Sequence, residues 1–256
     1  MVELLTVIGI MAILTAIAIP AVIGMSDASK ITQTAYDIAG TLDQARAYAM
    51  ANNTYVFVGI AEVDASVSAS ASPQVTSSST PYGRVAIAVV ASKDGTPGYD
   101  TSSSSLSSPA WTSYSNGANL VAISRLQHFE DAHLGPLFET IPNTGKLTRP
   151  IVSDAPVITG GTSYIIGNSN CQSVTPFTWP LGSALGAGSG QYYFTKVINF
   201  DPQGAARIQD PVDTTTIVSY MEIGLQQTHG NNVSSSPNVA AIQIDGITGA
   251  VHVYRP

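Results

Sequence analysis

Charged residues are scarce in this 256-residue chain, since Asp, Glu, Lys and Arg together make up only 11% of it. The 10 Lys and Arg residues are outnumbered by 17 Asp and Glu residues, which gives a formal net charge of -7. Proteins that bind nucleic acids draw most of their affinity from basic side chains grouped against phosphates. The composition therefore predicts that nucleic acid is not a partner.

Cysteine is almost absent, and the motifs of common enzyme sites are missing. Cys171 is the only cysteine, so no disulfide can form within one chain. Its simplest role is that of a small buried apolar residue, with a redox or intermolecular role as the alternative. No two of the four histidines have the spacing of metal ligands on one helix face, and neither a Gly-x-Ser-x-Gly elbow nor a Cys-x-x-Cys pair occurs. We expect a protein that is not an enzyme and has no cofactor.

One segment is a weak candidate for a calcium site. Asp94 and Asp100 lie in the string KDGTPGYD, where their carboxylates could surround a hard cation that prefers oxygen ligands. An ordinary Asp-Gly turn accounts for the same residues. The turn is the main interpretation, and calcium is the alternative.

The most informative feature is a charge at the head of a long apolar run. Glu3 is followed by the uncharged stretch from Leu4 to Met25, and the next charge is Asp27. Roughly 20 apolar residues in a helix cross a bilayer core, and a carboxylate there needs a partner. We expect that partner to be a positive charge on another copy. The lack of Lys or Arg before Lys30 disfavours a secretory signal peptide, while a plain signal-anchor helix stays open.

The string VELLTVIGIMAILTAIAIP resembles the N-terminus of type IV pilins and type II secretion pseudopilins, and the resemblance covers about the first 50 residues. Glu3 and Pro20 keep the spacing of the family's glutamate and helix-bending proline, whereas Met1 stands where the family has its third mature residue. The resemblance implies a prepilin peptidase, an assembly machinery in the bacterial inner membrane, and export into a helical surface filament of identical subunits. It also implies that Glu3 neutralises the N-terminal ammonium of an adjacent subunit.

Periodicity predicts that the helix continues to about residue 51. An apolar stripe recurs at steps of three and four residues through Ile31, Ala35, Ile38, Leu42, Ala45 and Ala49. We divide the chain into a stalk, residues 1–25, and a head, residues 26–256, in which an amphipathic helix covers residues 26–51. Pro20 removes a backbone donor and is expected to bend or open the helix, and Gly24 loosens the same place. The residues expected to pack between stalks are Leu4, Leu5, Val7, Ile8, Gly9, Ala12, Ile13, Ala16, Ile17 and Ala18.

The rest of the chain has the composition of β-structure. Residues 55–63, 84–92 and 120–126 are rich in β-branched residues and predict strands, separated by Ser/Thr-rich loops. The last third predicts an antiparallel meander, and its INFDPQGAARI and IDGITGAVHV blocks resemble the head of GspH/FimT-type pseudopilins and the prepilin-like Verru_Chthon cassette protein D group. The expected fold class is α+β, with a long N-terminal helix, its apolar stalk protruding, packed on an antiparallel sheet in a ladle shape.

The expected function is a structural subunit of an extracellular type IV pilus-like filament that assembles through its N-terminal helix. One alternative within the family is a minor pseudopilin that sits at the tip of a secretion pseudopilus or primes its assembly. An alternative from another class is a membrane-anchored binding domain that never polymerises, in which Glu3 would be dispensable.

Overall fold

The computed structural model describes the helix, most of the strands and the turns between them. The described residues are 2–66, 83–97, 119–135, 137, 147, 149–150, 164–167, 171, 177–182, 191–208, 218–234 and 238–255, except that side chains 2 and 17–28 are not described.

The chain begins with the helix α1, Val2–Asn52. The helix ends at Asn52, within one residue of the predicted end, because Asn53 adopts a φ of 48°, a left-handed conformation that asparagine tolerates and that stops a helix. Twelve of the residues 29–52 are buried or partly buried. The stripe predicted from the sequence is confirmed: Ile31, Ala35, Ile38, Leu42, Ala45 and Ala49 are all buried.

Thirteen strands follow among the described residues. They are β1 Val56–Asp64, β2 Gly83–Ser92, β3 Leu120–Ala122, β4 Gln127–Glu130, β5 Ala132–Leu134, β6 Phe177–Trp179, β7 Tyr192–Phe194, β8 Lys196–Phe200, β9 Ala206–Ile208, β10 Tyr220–His229, β11 Asn232–Val233, β12 Val239–Asp245 and β13 Val251–Tyr254.

The strands form three sheets. The first has the order β3-β2-β1-β8-β9, with β4 also pairing with β2; the second has the order β11-β10-β12-β13, with β5 also pairing with β10; the third contains β6 and β7. All of these strand pairs are antiparallel, and the central register sets Val58 opposite Val89 on one side and Ile198 on the other. A backbone hydrogen bond of 2.9 Å from Ala206 N to Gly246 O links the first sheet to the second.

The main core lies between the first two sheets and includes the buried stripe of α1. Val56, Val58 and Ile60 of β1 face this core together with Ile223 of β10 and Ile242 of β12. Because successive side chains of a strand point to opposite faces, the alternate residues of β1 turn away from the helix. The helix is therefore covered by strands of both sheets.

A second core covers the other face of the first sheet. Phe57, Ala61 and Val63 of β1 pack there against Phe177 and Phe194 of the small third sheet. Gly59 makes this contact close, since a Cβ at Gly59 would lie 2.6 Å from Phe177 Cζ and 2.7 Å from Phe194 Cβ. Every residue of β1 but the last is thus buried.

The predicted fold class, one long helix laid on a single antiparallel sheet in a ladle shape, is wrong. The described chain is mainly antiparallel β-structure in three sheets, and the described helical side chains fall into two short segments, 3–16 and 29–52, of which the second packs on strands. The physical reason lies in strands β1 and β2, which are apolar at nearly every position rather than at alternate ones. Strands of that kind need cover on both faces, and one helix covers only one.

Candidate assembly surface

The N-terminal segment 3–16 of α1, which we call the apolar segment, exposes its hydrophobic side chains. More than half of the surface of each large apolar residue is open: Leu4 70%, Leu5 74%, Val7 52%, Ile8 60%, Ile10 59%, Met11 64%, Ile13 64% and Leu14 62%. A Cβ added at Gly9 would meet nothing within 4 Å. Exposed apolar patches of this kind mark surfaces that bind protein or lipid.

Polar groups within the apolar segment are satisfied locally. The Thr6 hydroxyl donates a hydrogen bond of 2.8 Å to the carbonyl of Glu3, and the Thr15 hydroxyl donates one of 2.7 Å to the carbonyl of Met11. Such bonds to the preceding turn hide hydroxyls from the surroundings of a helix. The segment therefore presents a continuous apolar surface whose one charge is Glu3.

Glu3 lies in the first turn of α1, where a carboxylate interacts favourably with the partial positive charge of a helix N-terminus. Its side chain is exposed, and no ion pair involves it in the described part of the chain. A carboxylate in this position keeps its capacity to pair with a positive charge from outside the chain.

The sequence prediction and the structure agree on only part of this surface. Of the predicted packing residues, Leu4, Leu5, Val7, Ile8, Gly9, Ala12, Ile13 and Ala16 are exposed. Ile10, Met11 and Leu14 are exposed as well and were missed; the signal was available, because the segment is apolar on all sides and has no protected face. The side chains of Ile17, Ala18, Pro20 and Gly24 lie outside the described residues, so the bend expected at Pro20 stays a prediction.

Within the part of α1 and the rest of the chain that the structure describes, no helix is both long and apolar enough to cross a membrane.

Of the two residues of the calcium candidate, Asp94 is described and Asp100 is not. Asp94 Oδ1 accepts hydrogen bonds from Ser92 Oγ at 2.7 Å, Thr96 Oγ1 at 2.7 Å and Thr96 N at 3.1 Å. These bonds, with that from Ser92 the strongest, lower the pKa of Asp94 to about 2. Asp100 lies outside the described residues, and among those described no three His, Cys, Asp or Glu side chains are grouped to hold a metal.

Two buried carboxylates join elements of the head, and sequence reasoning gave no signal for either. Glu222, 1% exposed, accepts hydrogen bonds from Arg149 Nε at 2.6 Å, Arg149 Nη2 at 2.9 Å and Gln243 Nε2 at 2.9 Å. Glu62 lies 2.8 Å from His133 Nδ1 and also accepts the backbone N–H of Leu134 at 3.1 Å. Both carboxylates are occupied in holding loops and strands together, which is a structural task.

Comparison of the chain with protein-family models, with curated proteins and with solved structures gives no match.

Proposed function

We propose that this protein is the structural subunit of an extracellular type IV pilus-like filament, and that the apolar segment is its assembly surface. The observation that carries the proposal is the exposure of eight large apolar side chains on one short stretch of helix. Fully burying one such side chain is worth roughly 1.5–3 kcal/mol. A surface of this size is therefore strongly favoured to enter lipid or to pack against other copies.

The proposed mechanism moves the segment between two apolar surroundings. Before assembly the segment lies in the inner membrane, where a prepilin peptidase and the assembly machinery act on the chain. During assembly it leaves lipid and packs against the same segment of other copies, where the small residues Gly9, Ala12 and Ala16 allow close approach. Glu3 then pairs with a positive charge on a neighbour. Contacts of this head-to-tail kind do not close, so they build an open helical polymer.

Replacement of Glu3 by Gln tests this mechanism, because it keeps the size of the side chain and removes its charge. Removing one partner of a buried ion pair costs about 3–5 kcal/mol, and this cost recurs at every added subunit. We expect Glu3→Gln to leave near-normal protein in the membrane while sheared surface filaments, measured by immunoblot and electron microscopy, are lost or severely shortened.

A matched control is Asp37→Asn, which removes an exposed carboxylate from the same helix within the head. Filaments of this variant should keep normal length. If filaments built from Glu3→Gln subunits, identified by mass, also have normal length, the charge pair is excluded. If the wild-type protein is absent from every fibre preparation, the proposal of a main filament subunit fails, and the minor pseudopilin and the non-polymerising anchored domain remain.

A further inference from the structure

Two exposed charges of the head have no partner within the described chain. Asp43 lies on α1 and Arg125 lies in the connection between β3 and β4, and both side chains are exposed. Neither takes part in an ion pair or a side-chain hydrogen bond in the described part of the chain. By contrast, the exposed Lys30 lies 3.2 Å from Asp131. Asp43 and Arg125 therefore keep their capacity to pair with charges from outside the chain.

Apolar side chains flank Asp43 along the helix. Tyr36, 60% exposed, precedes Asp43 by seven residues, and Met50, 41% exposed, follows it by seven. Seven residues are close to two turns of a helix, so the three side chains form one line on the surface. This line faces away from the buried stripe and presents an aromatic ring, a carboxylate and a thioether to solvent.

An exposed turn lies beside the same line. Arg46, one helical turn after Asp43, does not pair with it but packs on the turn that ends at Gly249, since a Cβ there would lie 3.0 Å from Arg46 Cδ. Ile247 belongs to this turn and is 68% exposed. We call Tyr36, Asp43, Met50 and Ile247 the Asp43 face. It is an apolar surface with one carboxylate that has no partner.

The connection between β3 and β4 carries the opposite charge on an apolar surface. Val121 is 42% exposed, and Ala122 and Arg125 are exposed as well. Among the described strands, β3 and β4 pair only with β2, so this connection lies at an edge of the first sheet. We call Val121, Ala122 and Arg125 the Arg125 face.

The two faces lie on opposite flanks of α1. Thr41 Oγ1 donates a hydrogen bond of 2.9 Å to Gln127 Oε1, which places β4 beside the flank of the helix that carries Thr41. Asp43 follows Thr41 by two residues. Because each residue of a helix turns by about 100°, Asp43 points about 160° away from Thr41. One copy therefore presents its Arg125 face and its Asp43 face in different directions.

The two charges lie at similar heights along the helix. From Gln127 the strand β4 runs towards Asp131, which pairs with Lys30 near the start of the head. Arg125 precedes Gln127 and is therefore displaced towards the end of α1, as Asp43 is. A second head that stands beside the first, with its helix in the same direction, needs only a small shift along the axis to bring the two charges together.

We propose that the Arg125 face of one copy packs against the Asp43 face of the next, with Arg125 of the first copy paired with Asp43 of the second. The inference rests on the proposed function, in which packing of the apolar segments places the heads side by side and in one direction. Its basis is complementarity, because each face is apolar with one free charge and the two charges are opposite. A guanidinium also binds a carboxylate through two parallel hydrogen bonds, which fixes the register between heads. Since the two faces differ, the contact is heterologous and can repeat from copy to copy along the filament.

Exchange of the two charges tests the pairing in cells that export the filament. Asp43→Arg and Arg125→Asp each set like charges against each other at every contact, and each should lower the yield of sheared filaments at least about threefold. The double variant should recover most of that yield. Immunoblots of the membrane fraction show whether each variant accumulates normally before assembly.

Asp37 provides the matched control, because it is an exposed carboxylate one turn before Thr41, on the other flank of α1. Asp37→Arg combined with Arg125→Asp should recover nothing. Unchanged yield in the single variants, recovery by both combinations, or recovery by neither overturns the pairing of Arg125 with Asp43.

Cross-linking gives a second readout that does not depend on the recovery of yield. In filaments that contain wild-type subunits together with Asp43→Cys, Arg125→Cys subunits, mild oxidation should join position 43 of one copy to position 125 of another. Cys171 is completely buried and should not react. Subunits with Asp37→Cys and Arg125→Cys should form no such link between copies, since both positions lie on one flank.

Mass spectrometry of the oxidised filaments decides between the outcomes. A peptide that joins positions 43 and 125 supports the contact. Its absence from well-formed filaments overturns the contact and leaves the proposed function intact. Absence of the wild-type protein from every filament preparation instead overturns the proposed function as a main filament subunit.

Discussion

The two described parts of α1 both carry many apolar residues but have opposite surroundings. In the apolar segment, residues 3–16, all described side chains are exposed, including Leu5 at 74%. In the second part, residues 29–52, Leu42 and Ile38 are completely buried between two sheets. The difference follows from the pattern: the second part concentrates apolar residues in one stripe, whereas the first is apolar on every side. A helix with one apolar stripe can be satisfied by its own chain, and a helix that is apolar all round needs lipid or other copies.

Removal of the first part should have the largest effect on assembly and almost none on the head. A chain beginning at Ser26 keeps the complete buried stripe, so it should fold as a soluble monomer and form no filaments. Circular dichroism and analytical ultracentrifugation measure the two properties. Aggregation or loss of the β-sheet signal in the truncated chain would show that the division between the two parts of the helix is misplaced.

A pair of leucine substitutions sharpens the comparison between the two parts. Leu42→Ala creates a cavity in the core and should lower the free energy of unfolding by about 2–5 kcal/mol. Leu5→Ala removes an equal volume from an exposed position. It should change the free energy of unfolding by less than about 0.5 kcal/mol and should reduce the filament yield. Denaturant unfolding in detergent, with filament yield measured in parallel, separates the effects. Equal loss of stability in both variants contradicts the assignment of the two parts.

Two glycines, one tightly packed in a strand and one exposed on the helix, allow a similar comparison. A Cβ at Gly59 would meet Phe177 and Phe194 at 2.6 and 2.7 Å, so Gly59→Ala should destabilise the head by about 1–3 kcal/mol through overpacking. Gly40 lies on the exposed side of α1 with nothing within 4 Å. Gly40→Ala should stabilise the helix by up to about 1 kcal/mol. Thermal unfolding of the two variants should shift the melting temperature in opposite directions.

The smallest predicted effect concerns the exposed turn at Asp94, which lies outside the apolar segment. Hydrogen bonds from Ser92 and Thr96 lower the pKa of Asp94 to about 2 from its ordinary value of 3.8. Because the pKa of Asp94 is lower in the folded state, this carboxylate stabilises the fold fully at a pH above its unfolded-state pKa. That stabilisation is lost as the pH falls towards 2. A carboxyl-carbon NMR titration should give a midpoint well below 3.8, and Ser92→Ala should raise it. A midpoint unchanged by that substitution would exclude the hydrogen-bonded turn.

Local patterns in the sequence were sufficient for the elements but not for their arrangement. The stripe from Ile31 to Ala49, the helix end at Asn52 and strands β1, β2 and β10 follow from periodicity and residue type. The division of the strands into separate sheets does not, because β8 and β10 have similar compositions and pair with different partners. Those pairings are long-range contacts that no local pattern encodes.

The candidate surface, too, was only partly predictable from local patterns in the sequence. Glu3 and most of the exposed residues of the apolar segment could be found from the sequence, since a lone charge before a long apolar run is a local signal. The packing of Arg46 against the turns at Gly204 and Gly249 could not be predicted, because it depends on tertiary structure. Buried pairs such as Arg149 with Glu222 depend on tertiary structure for the same reason.

The most direct test of assembly through the apolar segment is a near-atomic density map of the surface filament from wild-type cells. We expect that segments 3–16 of successive copies pack together along the filament axis, that the β-sheet heads lie outside, and that Glu3 contacts a positive charge of another copy. A filament of this protein held together by its heads, with segment 3–16 exposed at the surface, would contradict assembly through the apolar segment.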